Sequence, residues 1–147
     1  MNPVKVGLLG LGTVGSGTAN VLARNAGEIS RRAGRGIIVT HAASRSLRSS
    51  INDTSGIKFT TDPQDVVDDP EISVVCELMG GYEPARALVL RAIANGKHVV
   101  TANKALIARH GNEIFAAAQK KGVMVAFEAA VAGGIPIIKA LREGLTA

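Results

Sequence analysis

The length and composition of the chain indicate a single globular domain. It has 147 residues, 46% of them hydrophobic and 20% charged, which excludes a disordered or collagen-like protein. Cys76 is the only cysteine, so an intramolecular disulfide and a thiolate zinc site are both excluded. No apolar run reaches the roughly 18 residues of a membrane span, and the segment from Lys5 through the first glycines is unlike a signal peptide. We therefore expect a soluble cytoplasmic domain without a membrane partner.

The net charge of +5 raises the question of an anionic partner. Nucleic acid is not expected, because the chain has three Phe, one Tyr and no Trp for base stacking and carries no nucleic-acid-binding module. A solvated helix face and a site for a phosphorylated small molecule are the two interpretations left, and the rest of the sequence favours the second. The densest basic group is Arg24, Arg31, Arg32 and Arg35, followed by Arg45 and Arg48.

Apolar runs bounded by glycine, proline and polar residues predict the strands. They cover residues 4–9, 37–43, 72–78, 98–101 and 123–127. Helical patterns cover residues 13–32, a short stretch that opens at Asp62-Pro63, and residues 84–95, 112–121 and 135–145. In the first helix we expect Val14, Val21 and Leu22 to form the apolar stripe.

The alternation of helices with continuous apolar strands indicates a parallel sheet covered on both faces. Right-handed crossovers then give an α/β fold, a doubly wound parallel sheet of the Rossmann type. In such a sheet the ligand cleft lies at the carboxyl ends of the strands. The residues that directly follow the strands are therefore the candidate site residues.

A glycine-rich motif follows the first predicted strand. Gly10, Gly12 and Gly15 form a GxGxxG pattern that ends this strand and opens the first long helix. In that position the first glycine permits a tight turn, the second lets a pyrophosphate approach the backbone, and the third allows close packing of helix and strand. The helix N-terminus also offers N–H groups to phosphates. A dinucleotide site is thus favoured over a glycine turn that merely connects the two elements.

The end of the second strand indicates which dinucleotide binds. NAD sites usually place Asp or Glu there to accept a hydrogen bond from the ribose 2′-OH, but this chain has Ala43-Ser44-Arg45-Ser46. Arg45 can pair with a 2′-phosphate through its planar guanidinium, and the flanking serines can add hydroxyl donors. The alternative is an arginine that faces solvent. We expect NADP in preference to NAD, with NAD still possible.

Two later segments also follow strands. Thr101-Ala102-Asn103-Lys104 puts an amide and an ammonium at the edge where a nicotinamide would lie, and Lys104 can hold a substrate carboxylate, a reacting oxygen or the nicotinamide ribose. The alternative is a solvated lysine. Residues 128–136 leave the last strand through small residues and glycines, and their backbone carbonyls can bind a hard cation. A hinge between domains is the simpler interpretation of that segment.

Taken together, the motifs resemble homoserine dehydrogenase, in order and over essentially the whole chain. The segments that carry the resemblance are residues 10–17, 77–81, 101–106, 128–138 and 141–144. The resemblance implies NAD(P)-dependent interconversion of L-aspartate 4-semialdehyde and L-homoserine, on the route to threonine, methionine and isoleucine. The resemblance assigns Gly12, Thr13, Val14, Arg45 and Lys104 to the cofactor site, with Lys104 also catalytic. To these we add, from the glycine motif and the end of the fourth predicted strand, Gly10, Gly15 and Thr101. A monovalent cation, usually sodium, is implied at Glu128, Val131, Gly133 and Ile135, largely through main-chain carbonyls.

The chain is shorter than the members of the family that it resembles. Family members continue into a substrate and dimerisation domain, which carries an acidic residue and a second lysine needed for proton transfer. We therefore expect residues 1–132 to be the NAD(P)-binding domain, and residues 133–147 to be a hinge and the first helix of that second domain. The fragment alone should be inactive, and the full-length protein a homodimer or larger. A stand-alone dinucleotide-sensing module and a related oxidoreductase are the competing hypotheses.

Overall fold

The computed structural model describes residues 2–46 and 50–145. Within these ranges six strands form one sheet in the order β3-β2-β1-β4-β5-β6, and every neighbouring pair is parallel. The strands are β1 (Val4–Leu9), β2 (Ile37–Ala43), β3 (Lys58–Thr60), β4 (Val74–Glu77), β5 (His98–Thr101) and β6 (Val125–Ala126). The helices are α1 (Thr13–Arg24), α2 (Ala26–Ala33), α3 (Pro63–Asp68), α4 (Ala85–Ala94), α5 (Lys104–Lys121) and α6 (Ile137–Lys139).

The strand order places a crevice at the centre of the sheet. From β1 the first half of the chain runs outward to β2 and β3, and from β4 the second half runs outward in the opposite direction. Ligands of such sheets bind outside the carboxyl ends of the strands, at the point where the order reverses. The predicted doubly wound parallel sheet is confirmed, and the carboxyl ends of β1 and β4 mark the crevice.

Two apolar clusters cover the two faces of the sheet. Helices α3, α4 and α5 cover one face, with a core that includes Leu9, Val66, Val75, Val89, Ile93, Leu106 and Ile114. The other face packs under α1, with a smaller core that includes Val6, Leu8, Leu11, Ala19, Ala42 and Cys76. Burial on both faces explains why the strands are continuous apolar runs in the sequence. Among the described residues, no helix has both the length and the apolar character required to cross a bilayer.

The prediction for the first helix was wrong in two respects. The segment 13–32 is not one helix, because α1 ends at Arg24 and α2 begins after Asn25, whose ψ of 17° interrupts the helix. The apolar stripe is not the buried face either, since Val14 is 56% exposed and Val21 45% exposed. The buried residues of α1 are Gly15, Ser16 and Ala19. The start of this face requires a small residue, because a Cβ atom on Gly15 would collide with the carbonyl oxygen of Gly10.

The basic group does not form one site. Arg31 and Arg32 lie on α2 and both pair with Glu28, at 2.5 Å and 2.7 Å. Helix α2 leads into the start of β2, so these side chains lie at the amino-end edge of the sheet, opposite the crevice. For them the solvated helix face is the correct interpretation. Arg45 alone lies beyond the carboxyl end of a strand, and Arg48 falls outside the described residues.

The remaining elements differ from the predictions mainly in their bounds. The short strand β3 was not predicted, and it adds to the edge of β2 through the pairs His41–Lys58 to Ala43–Thr60. Helix α5 begins at Lys104 rather than at residue 112 and runs through Gly111. The last strand is shorter than residues 123–127, and the C-terminal helix starts at Ile137, with wider π-helical turns over Ala140–Gly144.

Candidate functional site

The turn between β1 and α1 has the geometry that its glycines predict. Gly10 has a φ of +99°, and a Cβ atom there would lie 2.9 Å from the carbonyl oxygen of Leu78. A Cβ atom on Gly15 would lie 1.9 Å from the carbonyl oxygen of Gly10, which is closer than any side chain tolerates. Both positions therefore require glycine for the fold itself. This tight turn brings the N-terminus of α1 against the end of β1.

Gly12 differs from Gly10 and Gly15, because the space that a side chain would occupy there is empty. Apart from Gly12 itself and its two chain neighbours, no heavy atom of the described residues lies within 4 Å of a Cβ atom built there. Gly12 is the N-cap of α1, and its carbonyl accepts the first helical hydrogen bond from Ser16 N at 2.9 Å. The N–H groups of Thr13, Val14 and Gly15 precede that bond and have no carbonyl to bind within the helix. With no acidic side chain in the first turn, this end of α1 can receive an anion.

Arg45 lies on the same edge of the sheet, beyond the end of β2. Strands β1 and β2 end side by side, with Leu9 paired to Ala43 and Gly10 N donating to Ala43 O at 2.9 Å. Arg45 follows two residues after that pair and is exposed. Arg45 thus follows the strand that ends beside the glycine turn, on the side of the crevice formed by the first half of the chain.

Lys104 lies on the other side of the crevice as the first residue of α5, and it is exposed. It forms no ion pair or hydrogen bond within the described ranges. The helix start is fixed by Asn103, whose side chain accepts from Leu106 N at 3.1 Å and donates to Gly81 O at 2.7 Å. A cation in the first turn opposes the helix dipole, so helix stability does not explain a lysine here.

Sequence reasoning missed Glu77, the last residue of β4. It is 0% exposed, and its Oε2 accepts from Thr101 Oγ1 at 2.7 Å. Its Oε1 accepts from Met79 N at 2.9 Å and Gly80 N at 3.3 Å. The available signal was an acid that ends an apolar run, but its partner on β5 is 24 residues away in the sequence. Thr101, a predicted cofactor contact, is 1% exposed and has its hydroxyl occupied by Glu77 and Asn103 N.

The segment predicted to bind a cation follows β6. The Glu128 carboxylate accepts from Ile138 N at 2.9 Å and from Lys139 N at 3.0 Å, so it caps the C-terminal helix. Between these points the chain turns through positive φ at Ala132 (54°) and Gly133 (60°). No group of three or more acidic, His or Cys side chains able to hold a metal occurs within residues 2–46 and 50–145. A cation here would therefore depend on main-chain oxygens.

Comparison with known proteins assigns the family. The family model described as "Homoserine dehydrogenase, NAD binding domain" matches residues 10–128. The chain belongs to this family. The matched range contains the glycine turn, Arg45, Glu77 and Lys104, so the crevice residues all lie within the homoserine dehydrogenase NAD-binding domain.

Individual homoserine dehydrogenases match all or nearly all of the chain. A homoserine dehydrogenase of Pseudomonas aeruginosa is 67% identical over 147 residues, and one of Neisseria gonorrhoeae is 56% identical. The crystal structure of a homoserine dehydrogenase from Thiobacillus denitrificans matches 98% of the chain at 71% identity, with a TM-score of 0.92. A hyperthermophilic archaeal homoserine dehydrogenase in complex with NADPH matches 95% at 25% identity, with a TM-score of 0.76. The chain spans 34% of the length of both bacterial sequences and 33% of the Thiobacillus chain.

Proposed function

We propose that the chain is the cofactor-binding part of an NADP-preferring homoserine dehydrogenase, which interconverts L-aspartate 4-semialdehyde and L-homoserine. The observation that carries this proposal is the open helix N-terminus at Gly12, set within a matched homoserine dehydrogenase NAD-binding domain. When bound, the dinucleotide supplies or accepts the hydride. For the full-length protein we expect in addition a substrate domain and a homodimeric or larger assembly.

The two sides of the crevice bind different parts of the cofactor. The N–H groups of Thr13 and Val14 bind the pyrophosphate, and the exposed Val14 side chain gives the cofactor an apolar contact. Arg45 binds the 2′-phosphate of the adenosine half. On the opposite side, Lys104 holds the nicotinamide ribose or stabilises the negative charge that develops on the aldehyde oxygen during reduction. A related archaeal enzyme in complex with NADPH supports NADP as the cofactor.

We also propose that the loop between β6 and α6 binds a monovalent cation, with sodium as the ion to be tested. The expected ligands are Glu128, Val131, Gly133 and Ile135. The Glu128 and Ile135 carbonyls accept turn hydrogen bonds from Val131 N (3.2 Å) and Ile137 N (2.8 Å), and oxygen atoms of this kind suit a hard cation. The cation would hold the end of the cofactor domain in place where the chain passes towards the substrate domain.

The activity is tested on the full-length polypeptide, by following L-homoserine-dependent reduction of NADP⁺ in absorbance. We expect turnover that requires both compounds, and we expect the 147-residue chain to bind the dinucleotide without turnover. Binding by both proteins without turnover by either would instead identify a dinucleotide-sensing module and refute the enzyme proposal.

Replacing Arg45 with alanine should weaken NADPH binding about tenfold or more and leave NADH binding nearly unchanged. A charge-assisted contact to a phosphate contributes about 1.5–3 kcal/mol, and only NADPH carries the 2′-phosphate. Calorimetric titration of both cofactors measures the effect. Arg35→Ala is the matched control, because it removes the same charge from an exposed position at the amino-end edge. Equal losses for both cofactors would show that Arg45 does not recognise the 2′ position.

A further inference from the structure

Glu77 is a buried acid that forms no ion pair with any of the residues that the structure describes. It is the one fully buried carboxylate among the described residues, and none of their ion pairs includes it. Its contacts are all donors: the Thr101 hydroxyl, the Met79 and Gly80 N–H groups and, at 3.5 Å, the Asn103 amide. The Thr101 oxygen already accepts from Asn103 N, and its hydroxyl proton is directed at Glu77 Oε2, so both carboxylate oxygens accept, as in an ionised carboxylate. The fold therefore maintains a negative charge at this point, where burial is costly.

Glu77 lies at the edge of the sheet that forms the crevice. Glu77 ends β4 and is paired in register with Leu9 at the end of β1 and with Thr101 at the end of β5. The glycine turn and Arg45 occupy the half of the crevice beyond β1 and β2, which in a doubly wound fold holds the adenosine half of a dinucleotide. The nicotinamide half then lies beyond β4 and β5. Glu77 is thus buried beneath the nicotinamide side.

We infer that Glu77 supplies the negative charge that favours the oxidised dinucleotide, whose nicotinamide ring is a cation, over the neutral reduced form. This inference rests on the proposed function, because it requires a nicotinamide cofactor in the crevice. A fixed charge in a region of low dielectric constant acts on a nearby cation and leaves a neutral ring almost unaffected. Glu77 tunes the relative affinity for the two redox states, and Thr101 and Asn103 hold its carboxylate in place.

The test compares dissociation constants for NADP⁺ and NADPH in the wild-type protein and in Glu77→Gln. Glutamine keeps the shape and removes the charge, and its amide group can donate to Thr101 Oγ1. We expect NADP⁺ binding to weaken on the order of tenfold relative to NADPH binding. A merely structural role would weaken the binding of both cofactors together, and the ratio of the two constants would stay the same.

Two control variants separate charge from geometry. Thr101→Ala removes the hydroxyl but keeps the charge of Glu77, so we expect the affinity ratio to stay unchanged even if both affinities fall. Glu71→Gln removes an acid at the amino-end edge that pairs with Lys5 at 2.9 Å, and it should leave both constants unchanged. If Glu77→Gln alone does not fold, the double variant Glu77→Gln/Thr101→Ala is compared with Thr101→Ala. The smaller residue at position 101 leaves space for a water beside the amide, and the comparison again isolates the loss of the charge.

The outcomes distinguish this inference from the proposed function. Wild-type protein that binds neither cofactor would refute the proposed function, and the inference with it. Wild-type binding together with an affinity ratio that Glu77→Gln does not change would overturn the inference alone. A shift of the ratio against NADP⁺ that occurs only when residue 77 is neutral supports it.

Discussion

Replacing Lys104 with alanine in the full-length polypeptide is expected to lower kcat at least about a hundredfold, with little change in the KM for the cofactor. One positioned electrostatic donor supplies about this much stabilisation to a developing oxyanion, and an effect confined to the transition state appears in kcat. The structure fits this role, because Lys104 is exposed at the crevice and none of the described residues engages its ammonium group. Steady-state kinetics over both substrates measures the effect.

The control for Lys104 lies at the other end of the same helix. Lys121 is the last residue of α5 and is exposed, so Lys121→Ala removes the same charge at the amino-end edge and should leave the kinetics unchanged. A normal kcat with a raised cofactor KM in Lys104→Ala would make Lys104 a ribose-binding residue rather than a catalytic one. Normal values of both constants would make it a solvated lysine.

Replacing Gly12 with valine is expected to abolish dinucleotide binding while the fold persists. The backbone at Gly12 has φ −69° and ψ −163°, an extended conformation open to valine, and apart from its chain neighbours nothing described lies within 4 Å of the new Cβ. The side chain would instead fill the space in which the pyrophosphate approaches the helix N-terminus. Calorimetric titration and thermal unfolding of the same samples measure binding and stability separately.

Two further glycines provide the contrast for Gly12. Gly15→Ala places its Cβ 1.9 Å from the Gly10 carbonyl, so this variant should lose stability as well as binding. Gly27→Ala adds a methyl group in open space on α2 and should keep both, with a small gain in helix stability. Unchanged cofactor affinity in Gly12→Val would refute the placement of the pyrophosphate at this turn.

The glycine turn was predictable from the sequence because its determinants are local. Gly10, Gly12 and Gly15 lie within six residues of one another, and the spacing alone specifies a tight turn, an open N-terminus and a close packing contact. The same locality explains the cap of α3, where Asp62 accepts from Gln64 N at 2.9 Å and Pro63 is the first helical residue.

Features that depend on tertiary packing were not predictable in this way. The buried face of α1 consists of Gly15, Ser16 and Ala19 rather than its valines, because the tight turn brings this helix too close to the sheet for larger side chains. Strand β3 has three residues, too few for a periodic pattern, and forms only because the edge of β2 is available. The burial of Glu77 and its hydrogen bond from Thr101 depend on packing across the sheet, which no local pattern contains.

Backbone amide NMR shifts of the 147-residue chain, recorded during an NADPH titration, test the central claim most directly. We predict shifts at Thr13, Val14 and Gly15, at Arg45 and at Lys104, all along the carboxyl ends of the strands. The opposite edge provides the internal reference, because an open depression of about 570 Å³ lies there, lined in part by Asn95 and Lys97. Shifts centred on that depression, with the glycine turn unaffected, would contradict the assignment of the cofactor site.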